Sequence, residues 1–319
     1  MRHITKPEVF LGNLKSKKYF EGWYFKLLSL KNHSQLALIP GVSLNPKDSH
    51  AFIQVFYTKF GNSPKMETYY LRYPLSSFSY DKHQFKVQIG DSIFTKDQIT
   101  LDINHDIKLN GMVQLSNHQN IKKNLYQPTI MGPFTYAPLM ECYHGILSMK
   151  NELIGSLHLN QQEIDFNNSF GYIEKDWGRS FPREYIWLQA NQFHDPFISF
   201  MASYAIIPFI GFHFKGLIVS LFYQHKEHRF ATYNFTKTKI NELEHNKVHL
   251  TLKKRGYKLE ISAKIDQLVE LVSPQNGMMN QKIKEGLNGK ISLKLYHKKQ
   301  LILEDESNYA GIEIMMKKP

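Results

Sequence analysis

The chain contains a single cysteine, Cys142, which excludes an internal disulfide framework and a cysteine-rich zinc site and suits a reducing compartment. The cytoplasm, including the inner face of its membrane, is the expected location. No G-x-G-x-x-G or G-x-x-x-x-G-K-[ST] loop is present, so the usual dinucleotide and nucleotide sites are not expected. Among 15 histidines, no H-x-H or H-x-x-x-H spacing stands out with carboxylate support, and His225 with His228 reads as a hairpin turn. No metal is expected. The basic N-terminus lacks the apolar run of roughly 7–15 residues that a secretion signal needs.

One long uncharged run exists, residues 197–214, and its 18 residues just reach the length of a membrane helix. Pro208 and Gly211 interrupt it, and aromatic residues outnumber leucine and alanine, which is strand chemistry. Two apolar strands joined near Pro208 to Gly211 are expected, serving a barrel core or a membrane-touching loop.

What is present is a globular composition: 319 residues, 42% hydrophobic and 21% charged, with a net charge of +12. Single cores stop growing at roughly 250–300 residues, so two packed units are expected. The basic surplus is spread out, with 16 Lys or Arg against 10 Asp or Glu over residues 237–319, in scattered pairs. Solvated strand faces explain it better than a nucleic-acid track, and no nucleic acid is expected. Residues 185–236 hold only five charged side chains, and the apolar mass lies there. A basic exterior around an apolar interior suits peripheral contact with an anionic membrane to collect a lipid.

Most of the sequence alternates with period two, the pattern of half-buried strands. Val248, Leu250 and Leu252 alternate, Arg255-Gly256 turns the chain, and Leu259, Ile261 and Ala263 alternate again. Further hairpins are expected at Gly90-Asp91, Asn160-Gln161 and His297 to Gln300. Only residues 276–287 have a helical pattern. Closed or sandwiched sheets of eight to ten strands enclose one small ligand. The expected fold is all-β, two tandem lipocalin-like antiparallel β-barrel or sandwich domains over residues 1–180 and 181–319.

All three tryptophans fall in two short blocks that mix acids with large aromatics: Phe20-Glu21-Gly22-Trp23-Tyr24-Phe25, and Glu174-Lys175-Asp176-Trp177 onward to Trp187, Gln189, Asn191 and Phe193. Buried together, such residues can keep a carboxyl protonated and face a cationic intermediate with aromatic rings. Holding a Glu neutral at pH 7 means raising its pKa by about 3 units, roughly 4 kcal/mol, which an exposed Glu cannot do. A third block, Met131 to Phe134 and Met140 to Gly145, supplies His144, with Glu141 three residues before it to orient it if the turn is tight.

The F-E-G-W-Y-F, E-K-D-W-G-x-x-F-P and W-x-Q-x-N-x-F runs, with the closing Ala310-Gly311-Ile312-Glu313, resemble the tocopherol cyclase family. The third block resembles bacterial members more than plant ones, and Asp176 stands where the plant-type pattern has Asn. The resemblance implies tandem lipocalin-like domains with a hydrophobic pocket. It also implies cofactor-independent addition of a phenol across a prenyl double bond, on a prenylated aromatic or other isoprenoid-like lipid. That chemistry needs a general acid, a base and an aromatic wall. Glu174 is the first choice of acid, with Asp176 and Glu21 the other candidates, and His144 is the base. Trp23, Tyr24, Trp177 and Trp187 are the cation-facing rings, while Gln189, Asn191 and Glu141 complete the substrate-binding set. Trp23 and Trp177 read first as core packing, because large aromatics dominate any β core. A lipid-binding protein without the chemistry is the alternative.

Overall fold

The computed structural model describes residues 6–61, 65–138, 140–209 and 211–317. The sequence readings that fall on residues 1–5 and on Ile210 lie outside them. Among these described residues, the regular structure is antiparallel strand apart from three short 3-10 turns.

The chain divides into two compact units. Unit 1 comprises Met1–Pro138, Cys142–Phe181 and Val272–Lys282; unit 2 comprises Leu139–Glu141, Pro182–Leu271 and Ile283–Pro319. In chain order the first strands are β1 (Tyr19–Ser29), β2 (Ser34–Leu44), β3 (His50–Lys59), β4 (Lys65–Pro74), β5 (Phe78–Tyr80) and β6 (Lys86–Ile89). Then come β7 (Ser92–Thr95), β8 (Gln98–Asn104), β9 (Lys108–Gln119), β10 (Cys142–Leu159), β11 (Gln162–Asp165) and β12 (Ser169–Gly178). They form one sheet in the order β4-β3-β2-β1-β12-β10-β9-β8-β7-β6-β5, with β11 on β10.

The second sheet is built from β13 (Tyr185–Ala190), β14 (Ser199–Phe209), β15 (Phe212–Tyr223), β16 (Lys226–Ala231) and β17 (Lys237–Leu243). It continues with β18 (Lys247–Lys254), β19 (Tyr257–Lys264), β20 (Val269–Gln275), β21 (Met278–His297) and β22 (Gln300–Ile314). Its order is β16-β15-β14-β13-β22-β21-β19-β18-β17, with β20 on β21. This is the all-β, tandem lipocalin-like architecture expected.

Alternation accounts for the half-buried strands. Ile99, Leu101 and Ile103 of β8 point into one core, and Val248, Leu250 and Leu252 of β18 into the other. Each such side chain contributes roughly 1.5–3 kcal/mol when fully buried. β1, β2, β3, β12 and β13 are buried on both faces, so they carry polar residues inside the protein. The described part of the 197–214 run forms β14 and the start of β15, and among the described residues no helix is long and apolar enough to cross a membrane.

The helical reading of residues 276–287 is overturned. Asn276 and Gly277, with φ of 51° and 75°, make a hairpin turn from β20 into β21. The tip docks inside unit 1: Ser43 Oγ donates to the Gly277 carbonyl at 2.7 Å, and Gly277 N–H donates to the Arg179 carbonyl at 2.7 Å.

Candidate functional site

In the first sheet β12 runs between β1 and β10. Register sets Tyr24 of β1 and Ile146 of β10 opposite Glu174, and sets His144 opposite Asp176. Side chains alternate, so Tyr172, Glu174 and Asp176 share one face of β12 while Ile173, Lys175 and Trp177 share the other. Ile173 belongs to the apolar core of unit 1, so the acidic face is the one turned away from it. β10 changes register between Ile146 and Ser148, a bulge just beyond His144 of the kind that re-aims side chains beside sites.

On the acidic face the groups form a series. His144 Nδ1 pairs with Asp176 Oδ1 at 2.8 Å, and its Nε2 lies 3.4 Å from Glu174 Oε2. The Tyr172 hydroxyl donates to the same Oε2 in a short hydrogen bond. Side-chain exposure falls from 20% at Asp176 through 13% at His144 to 5% at Glu174, and Tyr172 is fully buried. Burial works against charge on His144, but the carboxylates of Asp176 and Glu174 overcome it and hold its pKa up at about 9. Burial, and then Glu174, push the Tyr172 phenol well up, so it stays a neutral donor. Cys142 is half-buried, its sulfur 3.9 Å from Asp176 Oδ1.

Glu21 is not part of this series. It lies on the core side, fully buried, paired with the Lys175 ammonium and accepting from Tyr19 O–H and from the Leu11 and Gly12 N–H groups. Trp23 and Trp177 lie there too. Their rings face a resident cation, the Lys175 Nζ at 4.9 Å and 5.0 Å. Lys175 also donates to the Val9 carbonyl at 2.6 Å, and Trp23 Nε1 to the Glu8 carbonyl at 2.9 Å, so this pair anchors the N-terminal segment. Burial lowers the Lys175 pKa, and Glu21 opposes the shift. Of the expected rings, Tyr24 stands opposite Glu174. Glu141 is half-buried ahead of β10, and the hydrogen bond that orients His144 comes from Asp176 instead.

In unit 2, Tyr185, Trp187 and Gln189 share the face of β13 opposite the core residues Ile186, Leu188 and Ala190. Asn191 follows, also buried. Trp187 lies over Gly311 of β22, where a Cβ would come within 2.7 Å of its ring. Gln189 is fully buried, and among the described residues neither atom of its side-chain amide has a hydrogen-bond partner. Tyr185 donates a short hydrogen bond to Glu313, and Glu285 pairs with Glu313 across β21 and β22.

Tyr172, Tyr185, Glu285 and Glu313 were not among the expected site residues, although Glu313 ends the Ala310-Gly311-Ile312-Glu313 run. Period two offered a signal for both tyrosines, since Tyr172 precedes Glu174 by two residues and Tyr185 precedes Trp187 by two. Among the described residues, the one grouping with metal-ligand spacing is again His144, Glu174 and Asp176, whose donor atoms lie within 4.8 Å of one another. An imidazole and two carboxylates suit a divalent ion as they suit a shared proton. A groove of about 520 Å³ lined by Lys86, Ile93, Asp97 and Gln114 holds none of these residues.

The family described as tocopherol cyclase-like matches residues 80–315. No curated protein matches the sequence. Among solved structures, CghA, also solved with Sch210972, superposes with a TM-score of 0.58 at 9% identity, covering 95% of this chain and 89% of that one. The AttH-type protein of Nitrosomonas europaea gives 0.55 at 13% identity, covering 95% and 94%. Kievitone hydratase from Nectria haematococca gives 0.52 at 12%, covering 98% and 95%. At these identities the likeness is one of fold.

Proposed function

Because the chain belongs to the tocopherol cyclase-like family, we propose that it cyclises a prenylated aromatic or similar isoprenoid lipid by proton transfer, adding a phenol across a prenyl double bond. The observation that carries this reading is the Tyr172–Glu174–His144–Asp176 series, which leads from a partly exposed carboxylate to a buried one.

The steps balance without an outside reagent. The His144 imidazolium passes its Nε2 proton to Glu174, whose neutral carboxyl protonates the alkene, and a tertiary cation forms. The phenol oxygen attacks that cation, the C–O bond closes the ring, and the phenolic proton returns to Glu174 and through it to His144. Substrate and product are isomers. Asp176 keeps the imidazole oriented and charged, Tyr172 fixes Glu174, and Tyr24 is the ring placed to face the cation. Water in place of the phenol would make the reaction a hydration, the activity that the name of one structural relative carries.

Incubation with prenylated hydroquinones in deuterated buffer tests the proposal. The expected product has the substrate's composition with one carbon-bound deuterium, and its formation requires Glu174. Lipid that co-purifies and binds unchanged to Glu174→Gln, with no product from the unmodified protein, would instead establish the lipid-binding alternative.

A further inference from the structure

Three hairpins of unit 2 end in two-residue turns at one end of its sheet. Gln224 and His225 join β15 to β16, Arg255 and Gly256 join β18 to β19, and Lys298 and Lys299 join β21 to β22. All six have positive φ, between 43° and 81°. The turns lie together: Lys298 N–H donates to the Gly256 carbonyl at 2.8 Å, Tyr257 stacks on His297 at 4.4 Å, and His228 meets Tyr257 edge-on at 5.3 Å.

Turns of this hand need left-handed backbone at both positions, and Asn-Gly adopts it most readily. A Cβ there is strained. The chain nevertheless sets Arg255, Lys298 and Lys299 in that conformation, and the turn geometry does not ask for them. They are exposed, as are Lys226 and Lys253, with Lys254 half-buried beside them. Among the described residues, none of Lys226, Lys253, Arg255, Lys298 and Lys299 is in an ion pair. Acids near these turns already have partners: Glu227 is held by Arg229 at 2.6 Å, Glu260 by Lys258 at 2.8 Å, and Asp195 accepts from Phe197 N–H at 2.8 Å. His228 senses the resulting field: burial first, then Lys226, Lys254 and His297, depress its pKa to about 4. At the other end of β18 the charges cancel, because Lys247 pairs with Glu242 at 2.9 Å and Lys264 with Asp266 at 2.9 Å.

Apolar side chains project among the cations. Phe197, 56% exposed, touches the His225 ring at 5.0 Å, and Leu301 is 43% exposed just after the Lys298-Lys299 turn. Phe235, 85% exposed with φ of 62°, precedes by two residues Lys237, the strand partner of Lys253. A nucleic-acid track would string cations along a groove. Cations at turn tips, interspersed with exposed rings, match the headgroup layer of a membrane.

We propose that this end of unit 2 docks on an anionic lipid surface, with Arg255, Lys298, Lys299 and Lys253 over the headgroups and Phe197, Phe235 and Leu301 entering the interface. It needs no assumption about the reaction at Glu174.

The test is sedimentation of the full chain with vesicles of phosphatidylcholine containing 30% phosphatidylserine at ~0.1 M salt, alongside pure phosphatidylcholine vesicles. The triple variant Arg255→Asn, Lys298→Asn, Lys299→Gly installs residues that suit the turns better, so its thermal midpoint should equal or exceed that of the parent. Each basic residue at an anionic surface raises binding about fivefold, so the triple variant should lose about 100-fold in partitioning. Phe197→Ser with Phe235→Ser should weaken binding with the salt dependence kept. The proposal is overturned if the parent does not bind, if it binds neutral vesicles equally, if the triple variant partitions like the parent, or if duplex DNA competes the protein off the vesicles at equal charge. Turnover of detergent-dispersed substrate should be unchanged in the triple variant, which separates failure here from failure of the cyclase reading.

Discussion

His144 and Asp176 face each other across β10 and β12, with Nδ1 2.8 Å from Oδ1, although 32 residues separate them in the chain. This pairing turns an acidic strand into a charged relay. The carboxylate fixes which ring nitrogen points at Glu174 and supplies the largest force holding the proton on the ring, against the cost of burial.

The pH dependence follows from that balance. The His144 pKa is up at about 9 in the folded protein, against 6.5 as the ordinary value. A raised pKa gives stability that is complete below pH 6.5 and is lost as pH rises through 9. The shift is worth at most about 3 kcal/mol. In urea titrations at pH 6.5 and pH 9.5, stability should fall by about that much more in the parent than in His144→Gln. The His144 ring resonance, followed by NMR, should titrate near 9 and move to lower pH in Asp176→Asn. A midpoint at or below 6.5 in the parent would end the relay argument.

Glu174→Gln removes the carboxyl that must both give and take a proton while keeping the side chain's volume. Cyclisation should drop by about 10²–10⁴-fold, the usual worth of a positioned acid or base. Binding of substrate should change little, and isothermal titration with a prenylated hydroquinone measures it. A rate within tenfold of the parent would move the acid elsewhere.

Much of this was legible in the residues, and the failures have a common cause. Alternation located the turns at Arg255-Gly256 and Asn160-Gln161, because period two is a property of one strand. What lies across from a strand is set by register. Glu21 pairs in register with Trp177 and meets Lys175, and nothing local to Phe20–Phe25 says so. Glu141 looked like the partner of His144 because it was near in sequence, whereas the partner came from β12. The helical reading of residues 276–287 failed differently. Asn276-Gly277 is a strong hairpin signal, but the polar run of Asn280, Gln281, Lys282, Lys284 and Glu285 hides the alternation that would have supported it.

The Lys175–Glu21 pair is fully buried, so breaking it from one side leaves an uncompensated charge. Lys175→Met or Glu21→Leu should each cost about 3–5 kcal/mol, and the double variant should recover much of the loss. Equilibrium unfolding in urea measures all three. Equal and additive losses would mean that the two residues act independently, against the geometry.

Gly277 closes the argument about the β20–β21 hairpin. Its φ is 75°, and a Cβ there would lie 2.3 Å from the Tyr19 nitrogen and 2.5 Å from the Leu44 carbonyl oxygen. Both are backbone atoms of sheet strands, so neither can step aside as a flexible side chain would. Gly277→Ala therefore adds a steric clash to the strain of a non-glycine residue at positive φ, which by itself costs roughly 1–3 kcal/mol. Asn276→Gly tests the turn without the clash and should leave stability within about 1 kcal/mol, because glycine also adopts the left-handed backbone found there. If the hairpin docks as described, Gly277→Ala should lower the unfolding midpoint and speed hydrogen exchange at the amide of position 277, which in the parent donates to the Arg179 carbonyl. A helix over residues 276–287 would give the opposite sign, since alanine would stabilise it by about 1 kcal/mol relative to glycine.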